Sequence, residues 1–425
     1  MKTPFSAVRR TPAVWSIKGK MLVVKTPEEV FEIIEQTFTR KEDRENVPLA
    51  AAAGRILAED VRAAEYVPGF DRSMVDGYAL AAADTFGCSD SLPAVLTVAG
   101  EILMGKPAGM RLRPGETAVI PTGGELPEGA DAAVMAEYTE EYGDGTVGIL
   151  KPAVSGENVI FRGDDTVPGK VLLSGGIKLL PAQIGALAAA GIGSVPVQKK
   201  IRVGILSTGD ELVPADTVPG PGEVRDVNTP MLSAFVTEYG AEAIRYGIVK
   251  DSETEIGKTV DRALAECDAV LISGGSSAGM KDVTAKIIAE RGELLFHGIA
   301  MKPGKPAILG NAGGKPVMGL PGHPGAAFFT AELFGTALLD VLNGRKRTEY
   351  PLRAILSERI PANHGRAQYT GVRLRMANGV LTADPVHTKS GLITQLAGIC
   401  GYVAVERDRE GMEKGAEVPV WRFSI

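Results

Sequence analysis

The stretch that decides the fold runs Arg202-Val203-Gly204-Ile205-Leu206-Ser207-Thr208-Gly209-Asp210-Glu211. After Arg202 its first half is apolar, and its second half is small, polar and acidic. A short apolar run that empties into glycine and oxygen-bearing side chains reads as a buried parallel strand followed by a ligand-facing turn. The chain then repeats the pattern. A helical periodicity over 231–239 leads to a strand-like run over 243–249, a helix over 253–266, an apolar strand over 268–273 and a helix over 282–291. A strand over 317–320 and a long helix over 325–342 close the series. Apolar strands alternating with amphipathic helices predict a doubly wound, Rossmann-like α/β domain, its mostly parallel sheet covered on both faces.

Upstream, Thr26-Pro27-Glu28-Glu29 has the form of a capping box, and Val30, Ile33, Ile34 and Phe38 fall on one helical face. A second helical stretch is expected over 49–59. Between Tyr66 and Asp165, short apolar runs at 94–99, 117–120, 132–136 and 147–150 alternate with Gly- and Pro-rich turns, with Asp144-Gly145 at a hairpin. Helical character returns over 181–190, closed by Gly191. Downstream from Tyr350, short β-like runs flank Asn378-Gly379, another hairpin signal. The expected organisation is a multidomain α/β plus β chain. A discontinuous α/β first domain (22–66 and 166–198) is interrupted by a β-rich insert (67–165). The doubly wound domain (199–347) and a C-terminal β domain (348–425) follow, with 1–21 as a disordered extension.

At 425 residues the chain is too long for one ordinary core. A net charge of -6 offers no basic footprint for nucleic acid, although a local cluster of Lys and Arg could still hold a small anion. The cysteines Cys88, Cys267 and Cys400 are odd in number and far apart, which suits a reducing cytoplasm and no disulfide framework. No uninterrupted apolar run of membrane-spanning length is present, and the first twenty residues lack the apolar segment of a signal peptide.

In open parallel sheets, ligands bind beyond the carboxyl ends of the strands. Three such ends carry unusual residues: Ser207 to Glu211, then Ser273-Gly274-Gly275-Ser276-Ser277-Ala278-Gly279, then Leu320-Pro321-Gly322-His323-Pro324-Gly325. Glycines before a helix let backbone N–H groups approach an anion. Lys302-Pro303-Gly304-Lys305-Pro306 holds two cations on a stiff turn, which suits an oxyanion or phosphate. Asp210, Glu211, Asp251 and Asp282 all flank predicted strand ends, and crowded carboxylates beside a phosphate point to a hard divalent cation, Mg²⁺ first. The four histidines show no metal-ligand spacing. A P-loop and a nucleophile elbow are both absent, which argues against a P-loop NTPase or an α/β-hydrolase.

Taken together, these motifs resemble the molybdopterin molybdenumtransferases, bacterial and archaeal enzymes related to the gephyrin E domain. The resemblance rests on Pro68-Gly69-Phe70-Asp71-Arg72-Ser73-Met74-Val75-Asp76-Gly77-Tyr78-Ala79, then Pro121-Thr122-Gly123 with Pro127-Glu128-Gly129-Ala130-Asp131, then Gly163-Asp164-Asp165. Ser207-Thr208-Gly209-Asp210-Glu211-Leu212, the Gly274-Gly275 loop, the lysine turn and Leu320-Pro321-Gly322-His323-Pro324 follow in the family's order. It implies an elongated homodimer with shared active sites, four domains per chain, and Asp76, Thr122 and Asp165 completing the partner's cleft. The implied reaction transfers molybdate to the dithiolene of adenylylated molybdopterin with release of AMP. Asp251 and Asp282 would hold Mg²⁺ at the pyrophosphate. Ser207, Thr208, Gly209, Gly274, Gly275, Ser276 and Ser277 would cradle the pterin phosphate, with Asp210, Glu211, Pro306, Pro321 and Gly322 around the substrate. Lys302, Lys305, Arg366 and Ser390 would bind molybdate. Transient contact with other cofactor-biosynthesis proteins is also implied. Three positions depart from the pattern: Gly298 where Lys is common, Gly-Gly-Ser-Ser-Ala-Gly in the glycine loop, and His323 where Asn is frequent. Tungstate matches molybdate in size and charge, so it stays open as the oxyanion. A gephyrin-like scaffold and a pyridine-nucleotide deamidase are the other readings.

Overall fold

The computed structural model describes residues 15–17, 20–22, 24–39, 43–274, 280–345, 350–362 and 365–423. They form two compact units, one of the residues up to Arg44 with Gln198–Ile425, the other of Glu45–Val197.

The smaller unit is built on a six-stranded sheet in the order Thr139–Glu141, Thr146–Ile149, Ala94–Glu101, Glu116–Ile120, Gly77–Leu80, Ala132–Met135. All its pairings are antiparallel except Ala94–Glu101 with Glu116–Ile120. Successive residues of the Gly77–Leu80 strand serve different cores: Tyr78 and Leu80 pack with Leu96, Val134 and Val147, whereas Ala79 packs with Ile102, Ala118 and Ile120. Such alternation is the two-residue period of a sheet covered on both faces. A further cluster of Val47, Leu57, Leu179, Leu187, Val195 and Val197 surrounds the helix Pro181–Ala189.

The helix expected over 49–59 is not formed. One 3₁₀ turn, Leu49–Ala51, is followed by Gly54 at φ 77° and by bridges Ile56↔Lys178 and Leu57↔Val197. The left-handed glycine stops the turn, and Leu57 is buried by β pairing rather than on a helix face. Residues 15–17, 20 and 21, expected within a disordered extension, belong to a strand pair in which Trp15–Ile17 runs antiparallel to Lys20–Leu22.

In the larger unit the sheet order is Glu242–Val249, Arg202–Thr208, Ala269–Gly274, Lys315–Leu320, Ile308–Ala312, Glu293–His297. The first four strands are parallel, as the sequence predicts. At the edge, Ile308–Ala312 runs antiparallel to Lys315–Leu320, and Glu293–His297 runs antiparallel to Ile308–Ala312; the sequence carries no clear strand signal for either. Val203, Ile205, Leu271 and Leu320 face a core containing Leu232, Val236, Phe329 and Phe334; Leu206, Val270, Ile272 and Val317 face Ile256, Val260, Ile287 and Ile288. The sheet is therefore doubly wound. Pro324–Leu342 is long and apolar enough to cross a membrane, but 72% of its apolar 18-residue window is buried inside the protein, as befits a core helix. It contains a π-helical turn, Ala331–Gly335.

A closed ring of five strands completes this unit: Ala367–Ala377, Val380–Pro385, Leu352–Leu356, Glu417–Arg422 and Gly401–Val405, the last pairing back onto the first. Asn378 (φ 50°) and Gly379 (φ 76°) make the two-residue hairpin between Ala377 and Val380. Both central residues have φ > 0, as a type I′ turn requires.

The helix Pro27–Thr37 also packs into this larger unit. Val30, Ile34 and Phe38 join the core around Phe334, and the Phe31 and Phe334 rings lie 5.0 Å apart. Residues 22–66, expected to share one domain, thus fall on both sides of the division between the units. The helix start is set by Thr26, whose Oγ1 accepts from Glu29 N at 3.3 Å while Glu29 Oε2 accepts from Thr26 N at 2.8 Å. Thr26→Ala removes the first of these bonds and should cost about 1 kcal/mol. Urea unfolding is the check, and an unchanged midpoint would show that packing alone holds this helix.

Candidate active site

Parallel register brings the three predicted turns side by side. Thr208 pairs with Val249 on one flank and Gly274 on the other, and Ser273 pairs with Leu320. Gly274 has φ 134°, and a Cβ there would run into the backbone and hydroxyl of Thr208, so these two strand ends approach closely only because the residue is glycine.

Beneath the turns lies a buried polar network. Ser207 Oγ donates to Asp226 Oδ1 at 2.9 Å and lies 2.9 Å from Thr229 Oγ1, while Thr229 N also donates to Asp226 Oδ1, at 3.0 Å. Asn228 Nδ2 donates to Ser273 Oγ at 2.6 Å and to Gly322 O at 3.0 Å, tying the second turn to the third. Asp226, Asn228 and Thr229 were missed in the sequence. The signal that could have found them is Asp226-Val227-Asn228-Thr229-Pro230, oxygen-bearing side chains and a proline opening a helical run.

The acidic residues come from two neighbouring strand ends. Asp251 follows Glu242–Val249, and its N–H donates to Asp210 Oδ1 at 3.2 Å. Asp251 Oδ1 is buried and has no hydrogen-bond partner among the described residues. Burial, and then the negative charge of Glu211 and Asp210, hold the Asp251 carboxyl above the usual carboxylate range. A buried oxygen left unbonded, beside further carboxylates, is a donor set that fits a hard cation. No three potential metal ligands cluster among the described residues. Mg²⁺ does not need that many, because it keeps waters and shares substrate phosphates. Asp282 lies in the helix Met280–Arg291, but its side chain is outside the described residues, as are Gly275, Ser276 and Ser277.

The lysine turn is braced through its backbone. Ile299 N donates to Lys305 O at 2.8 Å and Ala307 N to Gly304 O at 3.2 Å. Gly304 sits at φ 116°, where a Cβ would lie 2.8 Å from Thr330 Oγ1. Met301–Lys302 pairs with Ala367 and Gln368 of the barrel, so the turn and Arg366 are neighbours along adjoining strands. Ser390 reaches the third turn, its carbonyl accepting from Gly325 N at 2.8 Å. A pocket of about 110 Å³ is lined by Gly274, Thr284, Pro306, Pro321, Gly322 and His323, among others.

Asp76, Thr122 and Asp165 belong to the other compact unit. Thr122 N donates to Asp76 Oδ1 at 2.7 Å, and Asp165 N donates to Val67 O at 3.0 Å.

Three family profiles match the chain: MoeA N-terminal region (domain I and II) over residues 25–191, probable molybdopterin binding domain over 204–340, and MoeA C-terminal region (domain IV) over 353–423. A putative molybdopterin biosynthesis protein of Methanocaldococcus jannaschii is 33% identical, covering 95% of this chain and 98% of its own. A molybdopterin molybdenumtransferase of Bacillus subtilis is 32% identical over 94% of this chain and 95% of its own. The chain belongs to the MoeA family of molybdopterin molybdenumtransferases. Among solved structures, a molybdopterin biosynthesis MoeA protein from Pyrococcus horikoshii is 33% identical, covering 94% of this chain and 100% of its own with a TM-score of 0.83. The MoeA family is a transferase family of molybdenum-cofactor biosynthesis. Its central profile, 204–340, spans the doubly wound sheet whose carboxyl edge carries the polar network, the acidic residues and the lysine turn.

Proposed function

We propose that this MoeA-family chain transfers molybdate to the dithiolene of adenylylated molybdopterin and releases AMP. The observation that carries the reading is the buried, unbonded Oδ1 of Asp251 beside Asp210 and Glu211, at the edge where glycine turns and a lysine turn also meet. Asp251 and Asp282 would hold Mg²⁺, which when bound supplies charge neutralisation and orientation at the pyrophosphate link. Ser207 to Gly209 and Gly274 to Ser277 line the pterin phosphate; the hydroxyl hydrogen of Ser207 is committed to Asp226, which leaves Thr208 Oγ1, without a partner among the described residues, as a hydroxyl donor of the first turn. Lys302, Lys305, Arg366 and Ser390 hold the oxyanion. The name carried by the Bacillus subtilis relative supports the reaction class. All three cysteines are free, which supports a cytoplasmic setting. The test is AMP release from adenylylated molybdopterin by the purified chain, with molybdate present or withheld. Release that depends on both molybdate and Mg²⁺ is expected. No release would sink the reading, and release driven by tungstate in preference would reassign the oxyanion.

We further propose a homodimer in which Asp76, Thr122 and Asp165 of one protomer complete the site of its partner, with transient docking of neighbouring biosynthetic enzymes. Support comes from the chain's own division, since these residues sit in a separate compact unit from the sheet edge. Mixing Asp76→Ala chains with Asp282→Ala chains should restore part of the activity through hybrid dimers, each with one intact site. Verified subunit exchange with no recovery would overturn the sharing.

A further inference from the structure

Ser390 is held to the third turn twice. Its carbonyl accepts from Gly325 N at 2.8 Å, and its Oγ lies 2.9 Å from His323 Nδ1. The first contact depends on glycine, because a Cβ on residue 325 would sit 2.9 Å from Ser390 O. The second uses a side chain with no structural duty at that point. The backbone carbonyl of His323, not its ring, accepts from Ala326 N and Ala327 N at 3.0 Å each to start the following helix. The ring is exposed and also borders the pocket lined by Gly274, Pro306, Pro321 and Gly322.

A serine hydroxyl has one hydrogen, and a fully ionised oxyanion has none to offer. If Ser390 donates its hydrogen to His323 Nδ1, only lone pairs remain to face an anion, and these repel it. If Nδ1 carries the hydrogen and donates to Ser390 Oγ, the serine hydrogen is free to donate to the anion. Only the second arrangement binds. We propose that His323 is a positioning residue for the oxyanion site, its Nδ1–H fixing the Ser390 hydroxyl so that its hydrogen points at bound molybdate. This rests on the reading of Ser390 as an oxyanion ligand.

The chemistry predicts which replacements work. In asparagine the side-chain amide nitrogen is attached at the same distance from the backbone as Nδ1, and it is a donor. Leucine puts a methyl group there and donates nothing. A hydrogen bond to a charged group is worth about tenfold or more in affinity. Titrating molybdate into the full-length protein loaded with adenylylated molybdopterin should therefore show about tenfold weaker binding for His323→Leu, and parent-like binding for His323→Asn. In AMP release, the leucine variant should raise the molybdate KM with kcat and the pterin KM unchanged. Ser390→Ala should weaken molybdate as much as His323→Leu, and the double variant should be no worse than Ser390→Ala alone, because the histidine acts only through the serine. If Ser390→Ala weakens molybdate but His323→Leu does not, the role of His323 is overturned and the oxyanion site stands. If leucine and asparagine weaken it equally, hydrogen donation is overturned. If Ser390→Ala binds molybdate like the parent, the reading of Ser390 as a ligand falls, and the role of His323 with it.

Discussion

Asp251→Asn should slow AMP release about 100-fold or more while leaving the fold intact, since removing a preorganised charge at a reacting centre costs that much. Asparagine keeps the size of the side chain and its neighbours, so the loss would report charge and not packing. A second measurement separates a cation site from a merely polar turn. The Asp251 carboxyl is held above the usual carboxylate range by burial and by Glu211 and Asp210. For a carboxyl raised on folding, the stability is full below the unfolded-state value, about 3.9 for aspartate. It is lost as pH rises through the folded value. In EDTA at neutral pH, Asp251→Asn should therefore melt higher than the parent, and the two should converge in acid. Mg²⁺ should raise the parent's melting temperature and leave the variant's where it is, by simple binding linkage. A loss of activity below about threefold, set against the effect expected of a catalytic charge, would sink the assignment. So would a parent protein whose melting is indifferent to Mg²⁺.

The second large effect belongs to the cations. Lys305→Ala or Arg366→Ala should weaken molybdate about 10- to 100-fold, the range for hydrogen bonds to a charged partner, with adenylylated pterin still bound. Both residues are presented by constrained backbone. The carbonyl of Lys305 accepts from Ile299 N at 2.8 Å, and Ala367 N donates to Ala300 O at 2.9 Å directly after Arg366. Those backbone bonds remain in either variant, and the loss expected is that of a cationic donor to the anion. Calorimetric titration of molybdate into the pterin complex decides it, and unchanged affinity in both variants would move the oxyanion elsewhere.

Much of the doubly wound sheet was legible from residues alone, because its signals are local. A run such as Val203 to Leu206, apolar at successive positions, has the pattern of a parallel strand covered by helices on both faces. Asn378-Gly379 occupies a turn that needs two residues at φ > 0, and Thr26 to Glu29 closes its own hydrogen bonds within one helical turn. The strand ends were legible for the same reason: glycine and small oxygen-bearing side chains follow directly on apolar runs.

Contacts between residues far apart in the chain were not legible. The face of Val30, Ile34 and Phe38 announces a buried helix but not its partner, and the partner proved to be the core around Phe334 rather than the chain that follows it. Leu49 to Glu59 has helical composition, yet β bridges from Ile56 and Leu57 prevail over its weak local preference. The strands Glu293–His297 and Ile308–Ala312 escaped because an antiparallel pair at a sheet edge gains its stability from the neighbouring strand. The same holds at the site. That Asp251 keeps an unbonded buried oxygen, that Asn228 joins Ser273 to Gly322, and that His323 meets Ser390 are all set by parallel register and by the barrel's docking on the sheet. Sequence determined which residue types stand at each strand end, because turn chemistry is local; tertiary structure alone decided which of them share a proton or lack a partner, because hydrogen bonds depend on distances that only packing sets.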